Sequence, residues 1–293
     1  MSTSTGKRPA LGALFTVLAM LGFASMDAIS KYLVADFAIA QMMWIRYALF
    51  CAFAWVVVRR RGLIASFRTR RPFLQAGRAT IAVIESAIFV LAFVFLPLAD
   101  THAIAATSPL MVIALGALFL GERLDRARWV AVIAGFAGVL LIVRPGFQSL
   151  AWPLLIPLLG ALLWAIYQIL VRFSAREDSP DTTLVWSAFV ALGITTLIGP
   201  WQWVWPDAAS WGLLLAIGLL GSLAHWFLIL ALDHAEAGAI QPYSYTLLVW
   251  ATALGLIVFG DLPDGWTLAG AAVIVASGLY AWLSERRAIA ARP

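Results

Sequence analysis

Cysteine is almost missing from this 293-residue chain: a lone Cys51, set inside an apolar block, excludes both a disulfide framework and a thiolate metal site. Charged residues make up 12% of the sequence, about half the share in an average soluble domain, so water is not the main solvent of the fold. There is no Gly-x-x-x-x-Gly-Lys-Ser/Thr to cradle nucleotide phosphates, no His-Glu-x-x-His, and no Gly-x-Ser-x-Gly. Nucleotide hydrolysis, zinc proteolysis and serine hydrolysis therefore lack their machinery, and no cofactor or metal is expected. A pI near 9.8 invites a nucleic-acid reading. The basic residues, however, sit in short segments between apolar blocks rather than on one folded face, and no nucleic-acid partner is expected.

What is present is apolar: 63% hydrophobic residues and a mean hydropathy of +0.92. Unsatisfied backbone groups are costly in lipid, so each long apolar run must be a helix of about 20 residues. Breaking the chain at charges, prolines and glycines predicts ten spans, near 11–33, 38–58, 73–96, 101–120, 127–144, 152–172, 183–203, 211–232, 237–259 and 265–284. The fold class is an all-α integral membrane protein. If the N-terminus is cytoplasmic, inside segments hold sixteen of the 20 Lys and Arg and outside loops hold only Arg144. That asymmetry places both termini inside and requires an even number of spans.

The two halves repeat. Phe23-Ala24 with Asp27 and Lys31 matches Trp164-Ala165 with Gln168 and Arg172 at an offset of 141, and Gly121-Glu122, opening the fifth span, matches Gly260-Asp261, opening the tenth, at an offset of 139. The division falls at 1–145 and 146–293. Because each half holds five spans, an odd number, the second copy is expected upside down relative to the first, the arrangement of carriers whose solute binds near the midplane. Lys7 and Arg8 followed by an apolar stretch to Phe23-Ala24-Ser25 imitate a cleaved signal peptide. The first span has a counterpart in the sixth, so it is read as part of the fold, with the chain entering the membrane by its own first helix.

Three segments carry a family resemblance: Phe23-Ala24-Ser25-Met26-Asp27-Ala28-Ile29-Ser30-Lys31; Pro109 with Leu118-Phe119-Leu120-Gly121-Glu122-Arg123; and Phe259-Gly260-Asp261 with Pro263. In these the chain resembles the drug/metabolite transporter superfamily, specifically its EamA-type ten-helix members, and is similar in general character to YddG-type amino-acid exporters. Gly260-Asp261 stands where that family often has Gly-Glu. The resemblance implies a central cavity lined by spans 1, 3, 4, 6, 8 and 9, with 5 and 10 bracing the back. It also implies export of amino acids or drugs, or movement of riboflavin, S-adenosylmethionine or nucleotide sugars.

Residues that cost energy in a membrane are the candidates for function. Glu85 lies near the middle of span 3, where an ionised carboxylate costs at least about 2.5 kcal/mol unless paired or wetted. It reads either as a contact for a solute amine or protonation site, or as a structural partner of Arg46 at similar depth in span 2. Asp27 and Lys31 share a face of span 1 and can pair along the helix, with Lys31 snorkelling outward and Asp27 facing the cavity. Arg78 reads as an anchor at the cytoplasmic end of span 3. His225 is read as the one histidine well inside a span, suited to proton coupling or to a helix–helix hydrogen bond.

Trp164, Tyr167 and Gln168 of span 6, with Gln241, Tyr243, Tyr245 and Trp250 of span 9, offer aromatic surface with polar tips, as a solute site or as interface residues. Trp201, Trp203, Trp205 and Trp211 read as an interfacial belt. Pro109 and Pro242 bend spans 4 and 9, as hinges or as packing kinks. Ala131/Gly135 and Ala134/Gly138 give span 5 a small-residue face for close helix packing, which also offers spans 5 and 10 as a homodimer surface. The partners expected are a small-molecule solute and the lipid bilayer. The function expected is export of small amphipathic metabolites, amino acids first, by alternating access. The alternatives are a carrier of riboflavin, S-adenosylmethionine or a nucleoside-like solute, and a membrane enzyme acting on lipid-linked substrates.

Overall fold

The computed structural model describes residues 8–59, 62–120, 126–144, 152–235 and 237–290. The Gly121-Glu122 anchor, Arg123, Lys7, Arg292 and the junction at 145–146 lie outside the described residues. Ten helices are long and apolar enough to cross a membrane, each within three residues of its predicted limits. They are span 1 (Pro9–Leu33), span 2 (Ile39–Val58), span 3 (Pro72–Phe95), span 4 (Leu98–Phe119), span 5 (Arg126–Val143), span 6 (Trp152–Ser174), span 7 (Pro180–Gln202), span 8 (Ala208–Ala231), span 9 (Ala239–Phe259) and span 10 (Gly265–Ser284). No strand occurs among the described residues.

Helix starts follow their sequence signals. Proline occupies the first turn of spans 1, 3 and 7, where its missing N–H would have no partner anyway. Side chains of Ser179, Asp207 and Asp264 accept the backbone N–H of Thr182, Ser210 and Thr267, which satisfies one orphan donor at each start. Hydrogen bonding holds the exposed Asp207 and Asp264 carboxyls below the usual carboxylate range, to Ser210 in the first case and mainly to the Thr267 backbone in the second.

Packing runs between the halves. Span 1 lies along span 8 and span 3 along span 6; span 2 meets spans 7 and 8, and span 3 also meets span 7; span 1 touches span 9 and span 4 touches span 6; span 5 lies along span 10. Exchanging each span with the one five places away turns every pair in this set into another member of the set. Spans 5 and 10 approach backbone to backbone: a Cβ on Gly138 would stand 2.8 Å from the Gly270 carbonyl oxygen, and one on Gly270 2.6 Å from that of Gly138. Gly135 is filled by Leu110 of span 4. The small-residue face of span 5 is thus used inside the chain, while Val130, Ile133, Phe136 and Leu140 point outward.

Spans 4 and 9, which exchange with one another, are the two broken ones. Span 4 is helical over Leu98–Ala105 and again from Ser108. Pro109 has no N–H for the Ala105 carbonyl, and the Ser108 hydroxyl donates to that oxygen at 2.6 Å instead. Span 9 breaks at Tyr245, three residues after Pro242. It then widens to a π-turn over Gly255–Phe259 and stops at Gly260, whose φ of 71° is left-handed. Gly260-Asp261 therefore closes the ninth span, where the sequence pattern had it opening the tenth. Of the four tryptophans read as a belt, Trp201 and Trp205 are each 82% exposed, whereas Trp203 and Trp211 pack against the cluster around Leu33 and Phe37, with Trp203 edge-on to Trp44. The Gln41 amide brackets the Val204 peptide, donating to its carbonyl at 2.7 Å and accepting its N–H at 2.9 Å.

Candidate functional site

Polar side chains from spans 1, 2, 3 and 8 converge inside the bundle. Arg46 of span 2 is the hub: its charge acts on Tyr47, on Glu85 of span 3 and on His225 of span 8. Gly221 of span 8 faces both Met26 and Arg46: a Cβ there would stand 2.9 Å from Met26 Sδ and 3.8 Å from Arg46 Nε. One turn further along span 8, His225 Nδ1 lies 2.8 Å from the Gly221 carbonyl oxygen, and its ring packs edge-on to Phe23 at 5.0 Å and tilted to Phe50 at 5.4 Å. Glu85 is buried and feels two charges of opposite sign, Arg46 and Asp27. Ser86 reaches both the Tyr47 hydroxyl and the Glu85 carboxyl. The structure thus brings together Asp27, Arg46, Glu85 and His225.

Lys31 is not the partner of Asp27. Its ammonium donates to Asp261 Oδ2 at 2.8 Å and to the Leu96 carbonyl at 3.3 Å, over the Phe259 ring at 4.8 Å. The π-turn and left-handed Gly260 aim Asp261 at it, a long-range geometry that overrides the i,i+4 rule. Asp27 Oδ2 instead lies 3.3 Å from Nε2 of His102. His102 is 5% exposed and lies in span 4, so His225 is not the one histidine inside a span. Sequence reasoning missed His102 because the predicted span began at 101, which put it at a helix end. The signal available was the turn Leu96-Pro97, after which a helix starts at once.

Arg78 is also corrected: it is fully enclosed rather than an interfacial anchor. Its guanidinium donates to Gln75 Oε1 at 2.8 Å and 3.3 Å, to the Thr183 carbonyl at 3.0 Å and to the Tyr167 hydroxyl at 3.3 Å. Gln75 in turn donates to Asp178 at 2.7 Å, as Thr69 does at 2.8 Å, and Arg71 pairs with Glu177 at 2.5 Å. These contacts tie the 2–3 loop and the base of span 3 to spans 6 and 7. At the other end Lys31–Asp261, Arg144–Asp264 and Gln41–Val204 make the corresponding ties.

The aromatic candidates divide. Tyr167 joins Arg78 and is stacked on Trp164 at 5.3 Å, and Gln168 is half-buried beside them in sequence. Tyr243 is 42% exposed. Tyr245 turns to span 10, its hydroxyl buried without a hydrogen-bond partner and pressed on Gly278, where a Cβ would stand 1.7 Å away. The structure does not bring these two tyrosines to the Arg46 cluster. Among the described residues no group of three or more metal-ligating side chains occurs.

An interior in which ionisable groups of spans 1, 2 and 3 meet His225 of span 8 fits a carrier, and comparison with known proteins decides the family. Residues 10–144 and again 151–282 match the EamA-like transporter family. The chain belongs to that family. As an EamA-like transporter it is 31% identical over 286 residues to a riboflavin transporter of Rhizobium johnstonii, with 96% of this chain and 93% of that protein covered. It is 31% identical over 271 residues to a pseudopaline exporter of Pseudomonas aeruginosa, covering 90% and 93%. It is 25% identical over 275 residues to an S-adenosylmethionine uptake transporter of Rickettsia conorii, covering 93% and 92%. This EamA-like transporter is a multi-pass protein of the bacterial inner membrane.

Proposed function

We propose that the protein carries a small organic metabolite, a heterocycle bearing a polar or cationic arm, across the inner membrane by alternating access. The observation that carries this reading is the Arg46–Glu85–Asp27 constellation. Three ionisable groups at membrane depth cost stability and mark solute pathways, and Arg46 and Asp27 keep part of their surface open although spans 1, 2, 3 and 8 surround them. In this reading Arg46 donates to the anionic or carbonyl edge of the solute, and Glu85 and Asp27 accept from its donors or face its positive charge. Phe23, Phe50, Trp164 and Tyr167 provide flat apolar surface.

The relatives named above handle riboflavin, pseudopaline and S-adenosylmethionine, which favours a heterocyclic metabolite over the free amino acids expected from the sequence. We further propose that residues 1–145 and 146–293 are two antiparallel copies. Two matches to one family, the exchange of packing partners and the paired breaks in spans 4 and 9 support this. The two sets of ties at opposite ends then open in turn, with Pro109 and Pro242 beside the bending points. A membrane enzyme has less support, since the family and the named relatives are transporters. Proteoliposomes containing the purified protein are expected to take up riboflavin or S-adenosylmethionine saturably and to exchange labelled for unlabelled solute. Absence of flux for both, with saturable flux of amino acids, would return the reading to amino-acid export.

A further inference from the structure

Asp27 has lost the cation that its own helix provides. Lys31, one turn away, is held by Asp261 and the Leu96 carbonyl, which leaves His102 as the nearest basic group, 3.3 Å from Asp27 Oδ2. His102 is enclosed, its ring near-parallel to Phe89 at 6.4 Å and tilted to Phe93 at 5.9 Å. Neither of its nitrogens has a hydrogen bond of normal geometry among the described residues. An ionised carboxylate at this depth requires a nearby positive charge, and an imidazole provides one only while it holds a second proton.

We propose that Asp27 and His102 form a proton site through which transport is coupled to the proton gradient. A proton taken from water at one end resides on His102 Nε2 against the ionised Asp27. When it leaves to water at the other end, the Asp27 charge is free for the cationic arm of a solute. Proton and solute cation thus compete for one carboxylate, which gives one-for-one exchange. The exchange half of this proposal rests on the solute reading above; the proton site does not.

Other ionisable groups face the pair from several sides. Glu85 of span 3 acts on Asp27 as a like charge, with Arg46 beyond it. Asp100 lies two residues from His102, within reach of Lys31, Asp261 and Asp264, and Arg144 is held by Asp264. At this level span 9 contributes Ala251 and Leu254, and span 6 sets Gly160 against Phe89. Both nearby lysine and arginine charges at this end already have carboxylate partners, so neither replaces the proton.

The chain has three histidines, which makes a direct titration tractable. In ¹⁵N-histidine protein in lipid nanodiscs, one imidazole, identified by its absence in His102→Asn, is expected to be doubly protonated in the wild type and to lose its second proton in Asp27→Asn at the same pH. A His102 protonation state unmoved by Asp27→Asn, or a His102 that is neutral in the wild type, overturns the proton site. In proteoliposomes, a pH step of about one unit is expected to shift the steady-state distribution of S-adenosylmethionine about tenfold, and His102→Asn is expected to abolish that response. Wild-type exchange that ignores the pH step overturns the coupling and leaves the carrier reading standing. If S-adenosylmethionine does not cross at all, the solute reading fails and the histidine titration decides the proton site by itself.

Discussion

The junction of spans 1, 2, 3 and 8 and the pair formed by spans 5 and 10 are both interiors of one membrane protein, yet they are built on opposite rules. Between spans 5 and 10 the helices meet at Gly138 and Gly270, and the apolar cluster of Val139, Ile142, Ala271 and Ile274 carries no charge. At the other junction the helices enclose Asp27, Arg46, Glu85 and His225, groups whose burial costs stability. Small-residue contact holds helices together where lipid gives no hydrophobic drive; charge is retained where something other than stability is selected. On the proposed reading, the difference separates brace from site.

Substitutions on the two sides should therefore fail differently. The largest effect is expected for Gly138→Leu, which has no space against the Gly270 carbonyl. It should destabilise the protein by about 3 kcal/mol or more, seen as loss of monodisperse protein in detergent, with flux falling only in proportion to folded protein. Arg78→Ala leaves the Gln75 and Thr183 oxygens without donors and empties an enclosed volume, for about 3 kcal/mol, read as a lower melting temperature. Arg46→Gln should invert that pattern: riboflavin or S-adenosylmethionine flux reduced at least about tenfold, about 1.4 kcal/mol in transition-state terms, with melting little changed. An Arg46→Gln protein that melts early and transports normally per folded molecule would erase the distinction between the regions.

Smaller effects sharpen it. Lys31→Met and Asp261→Asn should each cost about 1 kcal/mol, and the double variant less than their sum, as a double-mutant cycle on melting would show. Smallest is Asp264→Ala, at about 0.5 kcal/mol. The Asp264 carboxyl sits below its ordinary range in the folded protein, so its contribution is present above about pH 4 and is lost as pH falls through the lowered folded value. The gap between wild type and variant should close in acid.

Much of this was legible in the chain. Ten spans, their limits and the breaks near Pro109 and Pro242 follow from run length and proline chemistry, because lipid leaves backbone groups no partner outside the helix. Glu85, Arg46 and Asp27 were identifiable as costly charges. Partner choice was not legible. Lys31 is 230 residues from Asp261 and Arg78 is 105 from Thr183, and local spacing suggested Asp27 for the first and lipid headgroups for the second. Tyr245 faces span 10 because of the break at its own position, which resets the helix phase that sequence periodicity assumes constant.

By itself, then, the sequence determined where the chain crosses the membrane and which side chains carry a cost in doing so, since hydropathy and charge act residue by residue. Only the tertiary structure decided which costly groups meet. That the helix-neighbour Lys31 went to Asp261 and the distant His102 to Asp27 depends on a π-turn, a left-handed glycine and the crossing of spans from both halves, and no local pattern encodes the relative placement of helices.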